Sequence, residues 1–287
     1  CTLFGCVANI IMDILFIWVF KWGMFGAALA TSLGVVLNMS VGVCGSLRKS
    51  SGLKIKISAV KLREIFYTAR VGMSTFLTEV DSAIVTFVYN MVLIRISAGS
   101  STTFIAIYGI VVNVNTIVLA ALNGISNAMQ PLISANYGAG LHDRIKKIYR
   151  TAVRFGLAFS IIVVALIEWQ AEFVVSIFLE PGDGFLTQAA LAVRLVALSY
   201  ILASVNMLTV TFFQARQAYV AASCGSILRT LACPVAFVIT GAALFGVHGV
   251  WAASLAIETV TILVLAVMYK KFAFRDNRIA GEERIYG

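Results

Sequence analysis

The stretch VHGVWAASLAIETVTILVLAVMYK (residues 247–270) decides the fold class, because Glu258 is its only charged side chain before Lys270. A helix of about 20 mainly apolar residues is long enough to cross the hydrocarbon core of a bilayer. Working outward from this stretch, similar apolar segments recur along the whole chain. They cover residues 3–20, 24–47, 64–94, 102–136, 147–178, 186–214 and 219–244.

Composition supports the same class of protein. Hydrophobic residues make up 60% of the 287 residues and charged residues only 12%, about half the charged share of a typical soluble domain. The sequence therefore predicts an all-α polytopic membrane protein with eight visible spans. Its predicted partner is the lipid bilayer in which these spans lie. Five cysteines without a Cys-x-x-Cys pair and only two histidines predict neither a metal site nor a disulfide framework.

The distribution of positive charge predicts the topology. Cytoplasmic loops of membrane proteins are enriched in Lys and Arg, and here the cations collect in every second connection. Both termini are therefore predicted to be cytoplasmic, in a plasma membrane, and the net charge of +9 needs no nucleic-acid partner. The two richest connections carry Arg48, Lys49, Lys54, Lys56, Lys61 and Arg63, and Arg144, Lys146, Lys147, Arg150 and Arg154.

An internal repeat predicts the domain organisation. Residues 22–31 (WGMFGAALAT) resemble residues 245–254 (FGVHGVWAAS), since both place a Gly-x-x-Gly turn before a small-residue helix start, six spans apart. This predicts a parallel repeat of two six-helix bundles, twelve spans in all. Because the chain opens on Cys1 within an apolar stretch, we expect four earlier spans in a longer protein. The predicted parts are the end of the first bundle (1–47), a basic linker (48–63), the second bundle (64–272) and a cytoplasmic tail (273–287).

Polar side chains inside the third span form the first candidate site. Ionisable groups at membrane depth are costly and usually functional. Asp81 lies only two residues from Glu79 and must point to another side of the helix, so Glu79 is the better candidate to line a cavity. A buried, hydrogen-bonded acid that only joins two helices is the alternative for each. The stripe around Glu79 consists of Thr75, Glu79, Ser82, Thr86 and Asn90.

The eighth span has a similar face, which comprises Trp251, Ser254, Glu258 and Thr261. If the two spans are neighbours, Glu79 and Glu258 share one cavity, where a carboxylate could exchange a proton or hold Na⁺ or an organic cation.

Other polar groups at depth allow more than one interpretation. Arg229 is interpreted as a snorkelling side chain, with pairing to an acid as the alternative. Asn9 and Asp13 form a polar patch in the first span, suited equally to an interhelical hydrogen bond or a substrate contact. Pro131 and Pro234 are predicted to kink their helices.

Motifs of intramembrane or nucleotide chemistry are missing from the sequence. It contains no Gly-rich nucleotide loop, no His-x-x-x-His pair and no Gly-x-Ser-x-Gly elbow. We therefore expect no enzymatic activity and no organic cofactor.

Four motifs resemble the multidrug and toxic-compound extrusion (MATE) transporters. They are FLTEVDSAIV (76–85), GISNAMQPLISANYGAG (124–140), NIIMD (9–13) with residues 22–31, and FFQA (212–215). The resemblance implies twelve helices around a central cavity and export of amphipathic, mostly cationic compounds against H⁺ or Na⁺. Glu79 and Glu258 match glutamates of the seventh and twelfth family helices. Asn206 stands where some Na⁺-coupled members have an aspartate, and Asp81 where a small residue is usual.

The resulting hypothesis is a monomeric, cation-coupled antiporter that works by alternating access, with H⁺ or Na⁺ as coupling ion. A flippase for lipid-linked saccharides is the runner-up, but four acids at depth against one arginine favour cationic substrates. A membrane scaffold, in which the deep acids would be dispensable, is the rival from another class. Predicted coupling residues are Glu79, Glu258 and Asp81; predicted cavity residues are Asn206, Asn115, Thr75, Ser82, Thr86, Asn90, Asp13 and Asn9.

Overall fold

The predicted all-α membrane class is confirmed. The computed structural model describes residues 2–47, 65–66, 69, 83–96, 101–179 and 185–286. Within these ranges, five helices are long and apolar enough to cross a membrane, and Gly5–Val19 and Ala83–Ile96 are shorter apolar helices. The chain divides into two compact units, Cys1–Ile65 and Phe66–Gly287, which are described separately.

The first unit is a helical hairpin. Helix α1 spans Thr2–Asp13 and continues as a π-helical turn over Ile14–Val19, and α2 spans Gly23–Leu47. The two helices approach closely at small residues, because a Cβ added to Gly34 would lie only 3.0 Å from Cβ of Asn9. Such small-residue contacts are typical of helix packing in membranes, where close backbone approach replaces the hydrophobic driving force.

The second unit is a helical bundle that contains one hairpin. Helices α6 and α7 together form one span, Leu186–Ala215, and Leu198 between them keeps right-handed helical dihedrals. Helix α8 runs through a π-helical turn, Leu228–Ala232, into α9, which is broken at Gly246 into two arms, 233–245 and 247–286. The helices are α3 (Ala83–Ile96), α4 (Ser101–Gly138), α5 (His142–Ser176), α6 (Leu186–Ala197), α7 (Ser199–Ala215), α8 (Tyr219–Ile227) and α9 (Cys233–Tyr286).

Two apolar clusters hold the bundle together. The larger cluster contains residues of α3, α4, α5, α6, α7 and α9, including the fully buried Leu93, Leu122 and Val238. The smaller lies towards the α4–α5 turn and includes Ile133, Phe213 and other residues of α4, α5 and α7. Many serine and threonine hydroxyls of the described residues bond to carbonyls three or four residues earlier, as in α7, where Ser204 Oγ donates to the Ile201 carbonyl at 2.7 Å. The hydroxyls are thereby satisfied without water.

The helices extend beyond the predicted spans at their charged ends: α9 continues to Tyr286, past the predicted end at residue 270, and α5 begins before its predicted start. The fifth span was predicted to start at residue 147, but α5 begins at His142. Arg144, Lys146 and Lys147 therefore lie in the first turns of a helix, whereas the sequence placed them in a connection. Charged residues can extend a membrane helix beyond the hydrocarbon core because their backbone bonds stay within the helix, so apolarity alone marks only the inner part of the helix.

The two Gly-x-x-Gly turns share their backbone conformation. Gly23 and Gly246 both have a positive φ, 55° and 59°, which glycine adopts without a steric cost. The second glycine of each motif also faces a crowded site. A Cβ on Gly26 would lie 3.1 Å from the Phe16 carbonyl oxygen, and one on Gly249 would overlap the Gly241 carbonyl oxygen. The sequence repeat is therefore also a repeat of local structure.

Gly249→Ala is expected to destabilise the hairpin formed by the two arms of α9. The added methyl group would overlap the Gly241 carbonyl oxygen, and because that atom belongs to the backbone, the arms must separate. We expect a loss of about 1–3 kcal/mol, the usual cost of overpacking, measured by unfolding in mixed detergent micelles. Gly109→Ala is the matched control, since no atom lies within 4 Å of its added Cβ; an equal loss there would refute the steric explanation.

Candidate functional site

Glu258 lies at the centre of the candidate site. It belongs to the second arm of α9 and is 6% exposed, and it is the only buried carboxylate among the residues whose burial the structure describes. Trp251 and Thr261, at helical spacing on either side, are also buried, and Ser254 is half-buried. The face predicted from the spacing therefore points into the bundle.

Two side chains from other helices hold the Glu258 carboxylate. From α7, the fully buried Asn206 donates from Nδ2 to Oε2 of Glu258 at 2.7 Å and to its backbone carbonyl at 2.9 Å. From the turn after α8, Arg229 donates from Nε to Oε1 of Glu258 at 2.8 Å. Three helical elements thus meet at one carboxylate. Asn206 and Glu258, predicted separately as cavity and coupling residues, are in direct contact.

The snorkelling interpretation of Arg229 is wrong, and the alternative, pairing with an acid, is correct. The Arg229 side chain is only 17% exposed and forms an ion pair with Glu258. Its long stem could have carried the charge to the membrane surface. A carboxylate within reach in a poorly solvated interior offers a stronger partner than distant headgroups, because Coulomb attraction increases as the local dielectric falls.

A local distortion of the helix coincides with the position of Arg229. Residues Leu228–Ala232 are π-helical, and the Cys233 N–H bonds to the Leu228 carbonyl, one residue farther back than in an α-helix. Pro234 follows directly and has no N–H to donate, so the regular ladder is interrupted at this point. π-helical turns are rare and are frequently found at functional sites. Pro234 was predicted to kink its helix, and the π-helical turn lies immediately before it; Pro131 lies inside α4, which continues to Gly138.

The cluster is electrically neutral as it stands. One carboxylate and one guanidinium cancel, which reduces the cost of burying them. Oδ1 of Asn206 is buried and accepts no hydrogen bond from the described residues, so one acceptor next to Glu258 is free to receive a proton donor or a cation. The chemistry of the cluster allows its ionic partner to be exchanged. If Arg229 moves away, the Glu258 carboxylate and Oδ1 of Asn206 are left without a cation.

Sequence reasoning missed a stack of aromatic rings beside this cluster. Tyr89 and Tyr108 stack with ring centroids 5.1 Å apart, and Tyr108 stacks on Trp251 at 6.5 Å. Tyr89 is close enough for the charge of Glu258 to act on it. A signal was available, because Tyr89 immediately precedes Asn90 of the polar stripe, but a tyrosine in an apolar helix does not by itself indicate a site.

The polar stripe of the third span is described only in part. Thr86 and Asn90 lie on α3, where both are half-buried. Thr86 forms a side-chain hydrogen bond with Tyr108, and Asn90 lines a small cavity of about 270 Å³. Thr75, Glu79, Ser82 and Asp81 lie outside the described residues, so a cavity shared by Glu79 and Glu258 stays a prediction.

The remaining predicted cavity residues lie on α4 and α1. Asn115 is half-buried on α4. In the first unit, Asn9 and Asp13 are half-buried one turn apart on α1. Nδ2 of Asn9 is buried and has no hydrogen-bond partner in the described part of the chain. This atom therefore does not form the predicted interhelical hydrogen bond with any described residue.

With this geometry established, the chain was compared with known proteins. The MatE family model matches residues 82–238, more than half of the chain. The chain belongs to the MatE family. The matched region contains α3 to α8 and two of the three side chains of the buried cluster, Asn206 and Arg229.

MatE relatives are similar along almost the whole chain. The multidrug export protein MepA of Staphylococcus saprophyticus is 27% identical over 277 residues, and MepA of Staphylococcus aureus strain MW2 is 25% identical over 276. Each alignment covers 94% of this chain but 58% of the relative, so the chain spans somewhat more than half the length of these MatE proteins.

Solved structures show the same fold. A MATE transporter of the MOP superfamily in an outward-facing conformation aligns with a TM-score of 0.84 at 22% identity, over 96% of this chain and 62% of that one. A MOP superfamily transporter from Pyrococcus furiosus, described as having a binding pocket of reverse polarity, aligns with a TM-score of 0.85 at 21% identity, again over 96% and 62%. At this identity the likeness establishes the MatE fold alone.

Proposed function

We propose that this MatE protein exports amphipathic, mostly cationic compounds and is driven by H⁺ or Na⁺ moving the opposite way. The observation that carries the proposal is the cluster of Glu258, Asn206 and Arg229, buried where three helical elements meet. Charged groups in such a place are expensive, and a cluster that can exchange its ionic partners suits a transporter that changes conformation in each cycle. The name of the MepA relatives, multidrug export protein, points to the same activity.

Alternating access supplies the mechanism of the proposal. Two bundles related by an axis along the membrane normal can rock about a cavity between them. The coupling ion would bind a carboxylate from one side of the membrane and be released to the other, while the substrate moves in the opposite direction. Glu79 is proposed as the first coupling residue, with Asp81 as a second candidate in the same span. Glu258 would take part by exchanging its Arg229 partner.

A lipid-linked saccharide flippase remains the second candidate, but the ion pair between Arg229 and Glu258 makes it less favoured. Such a protein has to hold pyrophosphate, which requires cations. Arg229 is the one deep arginine set against the four deep acids. Glu258 already neutralises its charge, so Arg229 leaves no net positive charge for a pyrophosphate. The acids at sequence positions 13, 79 and 81 then tip the balance towards cationic substrates.

Dye transport in proteoliposomes tests the proposal. The protein at its full natural length is reconstituted, and accumulation of ethidium is followed after a pH gradient or a Na⁺ gradient is imposed. We expect gradient-dependent dye flux well above that of empty liposomes, abolished by an ionophore that collapses the driving gradient. Flux equal to that of empty liposomes under both gradients would refute drug antiport, and movement of a fluorescent lipid-linked saccharide in the same vesicles would favour the flippase.

A further inference from the structure

A groove on the exposed surface of the second unit is separate from the cluster around Glu258. It lies between α4 and α5, has a volume of about 690 Å³ and is lined mainly by apolar side chains. This volume is within the range of roughly 300–1,000 Å³ that is usual for small-molecule sites. Two of its apolar walls, Leu132 and Phe155, are 54% and 68% exposed, so the groove opens outward from the described helices.

The polarity of the groove changes from one end to the other. Helices α4 and α5 are joined by a short turn at residues 139–141, so they run in opposite directions and the groove begins at that turn. Asn136, Arg144 and Lys147 line this end, and Ile125 and Phe155 line the far end. A polar, cationic end therefore gives way to an apolar one.

The cationic and apolar parts of the groove wall lie on one face of α5. Arg144, Lys147, Thr151 and Phe155 recur at steps of three and four and so lie on one face of the helix, which forms a wall of the groove. From Arg144 to Phe155 the helix rises about 16 Å at ~1.5 Å per residue. Because the exposed Arg150 and Arg154 occur in the same stretch, this end of α5 is predicted to lie at the cytoplasmic membrane surface and not at the bilayer centre.

The two cations at the polar end are available for an anion. Neither Arg144 nor Lys147 forms an ion pair with any carboxylate that the structure describes, and both side chains are exposed. Cationic residues at this level attract the anionic lipids of the cytoplasmic leaflet. A cationic drug would be repelled from the same position, so the groove is not suited to the substrates proposed above.

We propose that the groove between α4 and α5 binds one anionic phospholipid. The headgroup phosphate lies against Arg144 and Lys147, with Asn136 as a further hydrogen-bond donor, and an acyl chain follows the apolar walls to Phe155. A bound lipid of this kind contacts both α4 and α5. This proposal concerns a lipid and does not depend on which compound the protein transports.

Lipid titration of the purified protein at its full natural length tests the proposal. Binding of dioleoyl phosphatidylglycerol and of dioleoyl phosphatidylcholine is measured by native mass spectrometry at physiological ionic strength. We expect selective retention of the anionic lipid, and a loss of about thirtyfold in its affinity for Arg144→Gln/Lys147→Gln, since each cation contributes about fivefold. Ala128→Trp, which fills the groove while leaving both charges, should remove binding as well.

The matched control removes the same charge outside the groove. Arg150→Gln/Arg154→Gln changes two exposed cations of α5 that do not line it, so the general attraction of this helix for anionic lipid is reduced while the groove is kept. A much smaller loss is expected. Equal losses in both double variants, equal binding of the neutral lipid, or no lipid retained by the unmodified protein would each overturn the proposal. Glycerol phosphate, which has no acyl chains, should not compete; competition would indicate a site for free phosphate instead.

Discussion

Replacing Arg229 by glutamine is expected to lower the free energy of unfolding by about 3–5 kcal/mol, the usual cost of removing one partner from a buried ion pair. The variant leaves the Glu258 carboxylate buried, with Asn206 as its remaining described hydrogen-bond donor. The amide of glutamine replaces a hydrogen bond but not the charge. The loss is measured by reversible unfolding in mixed detergent micelles.

A double-mutant cycle separates the pair from its members. Arg229→Gln/Glu258→Gln removes both charges and should recover much of the stability that Arg229→Gln loses. Glu258→Gln alone should cost less than Arg229→Gln, because the Arg229 side chain is 17% exposed against 8% for Glu258 and its stem can turn the charge towards water. Losses that simply add in the double variant would show that the pair contributes nothing.

An exposed ion pair in the same bundle provides the control. Arg194 Nε and Glu168 Oε2 are 3.9 Å apart, and both side chains are about 40% exposed. Such pairs contribute little, so Arg194→Gln should cost less than about 1 kcal/mol. A loss as large as that of Arg229→Gln would mean that removal of any arginine destabilises this bundle, whatever its partner.

The polar faces could be predicted from the sequence because helical spacing is a local property. Glu258 was placed with Trp251 and Thr261 on one face, and all three are buried. The Gly-x-x-Gly turns were also visible locally, since the positive φ of Gly23 and Gly246 is a requirement that glycine meets. Patterns within one or two helical turns thus gave the elements and the side each one buries.

The partners across helices could not be predicted in the same way. Arg229 had two physically reasonable positions, at the lipid surface or against an acid, and the choice depends on how the segment after α8 packs against α9. The kink predicted at Pro234 indicated an interrupted helix, but not that the interruption takes the form of the π-helical turn at Leu228–Ala232. Tyr89 was missed because stacking on Tyr108 depends on the pairing of α3 with α4.

The ion pair also bears on which of the predicted acids binds the coupling ion first. With Arg229 in contact, Glu258 already has a cation, and an entering ion would have to displace it. An acid without such a partner is better suited to be the first group to bind the coupling ion. Glu79 shares the spacing of the stripe that includes Thr86 and Asn90, both of which are half-buried in the bundle. It therefore remains the stronger candidate.

Glu79→Gln is expected to reduce gradient-driven dye transport by at least about tenfold. Glutamine keeps the size and hydrogen-bonding capacity of the side chain but can neither release a proton nor balance the charge of Na⁺. A carboxylate that carries the coupling ion is needed in every cycle, so the loss should appear as lost coupling, while downhill movement of the dye without a gradient should change little. The measurement compares the initial rate of ethidium flux with and without the gradient, in proteoliposomes that contain equal amounts of protein.

Three further variants decide whether that loss belongs to Glu79 itself. Asp81→Asn tests the neighbouring acid, which helical spacing directs to another side of the span, and it should retain more coupled transport than Glu79→Gln. Glu168→Gln removes an acid at an exposed position and should leave coupling unchanged. Glu258→Gln should weaken coupling less than Glu79→Gln if the Arg229 partner limits its access to the ion. Full coupled transport by Glu79→Gln would exclude this residue as the coupling site, and if Asp81→Asn lost it instead, the role would pass to Asp81.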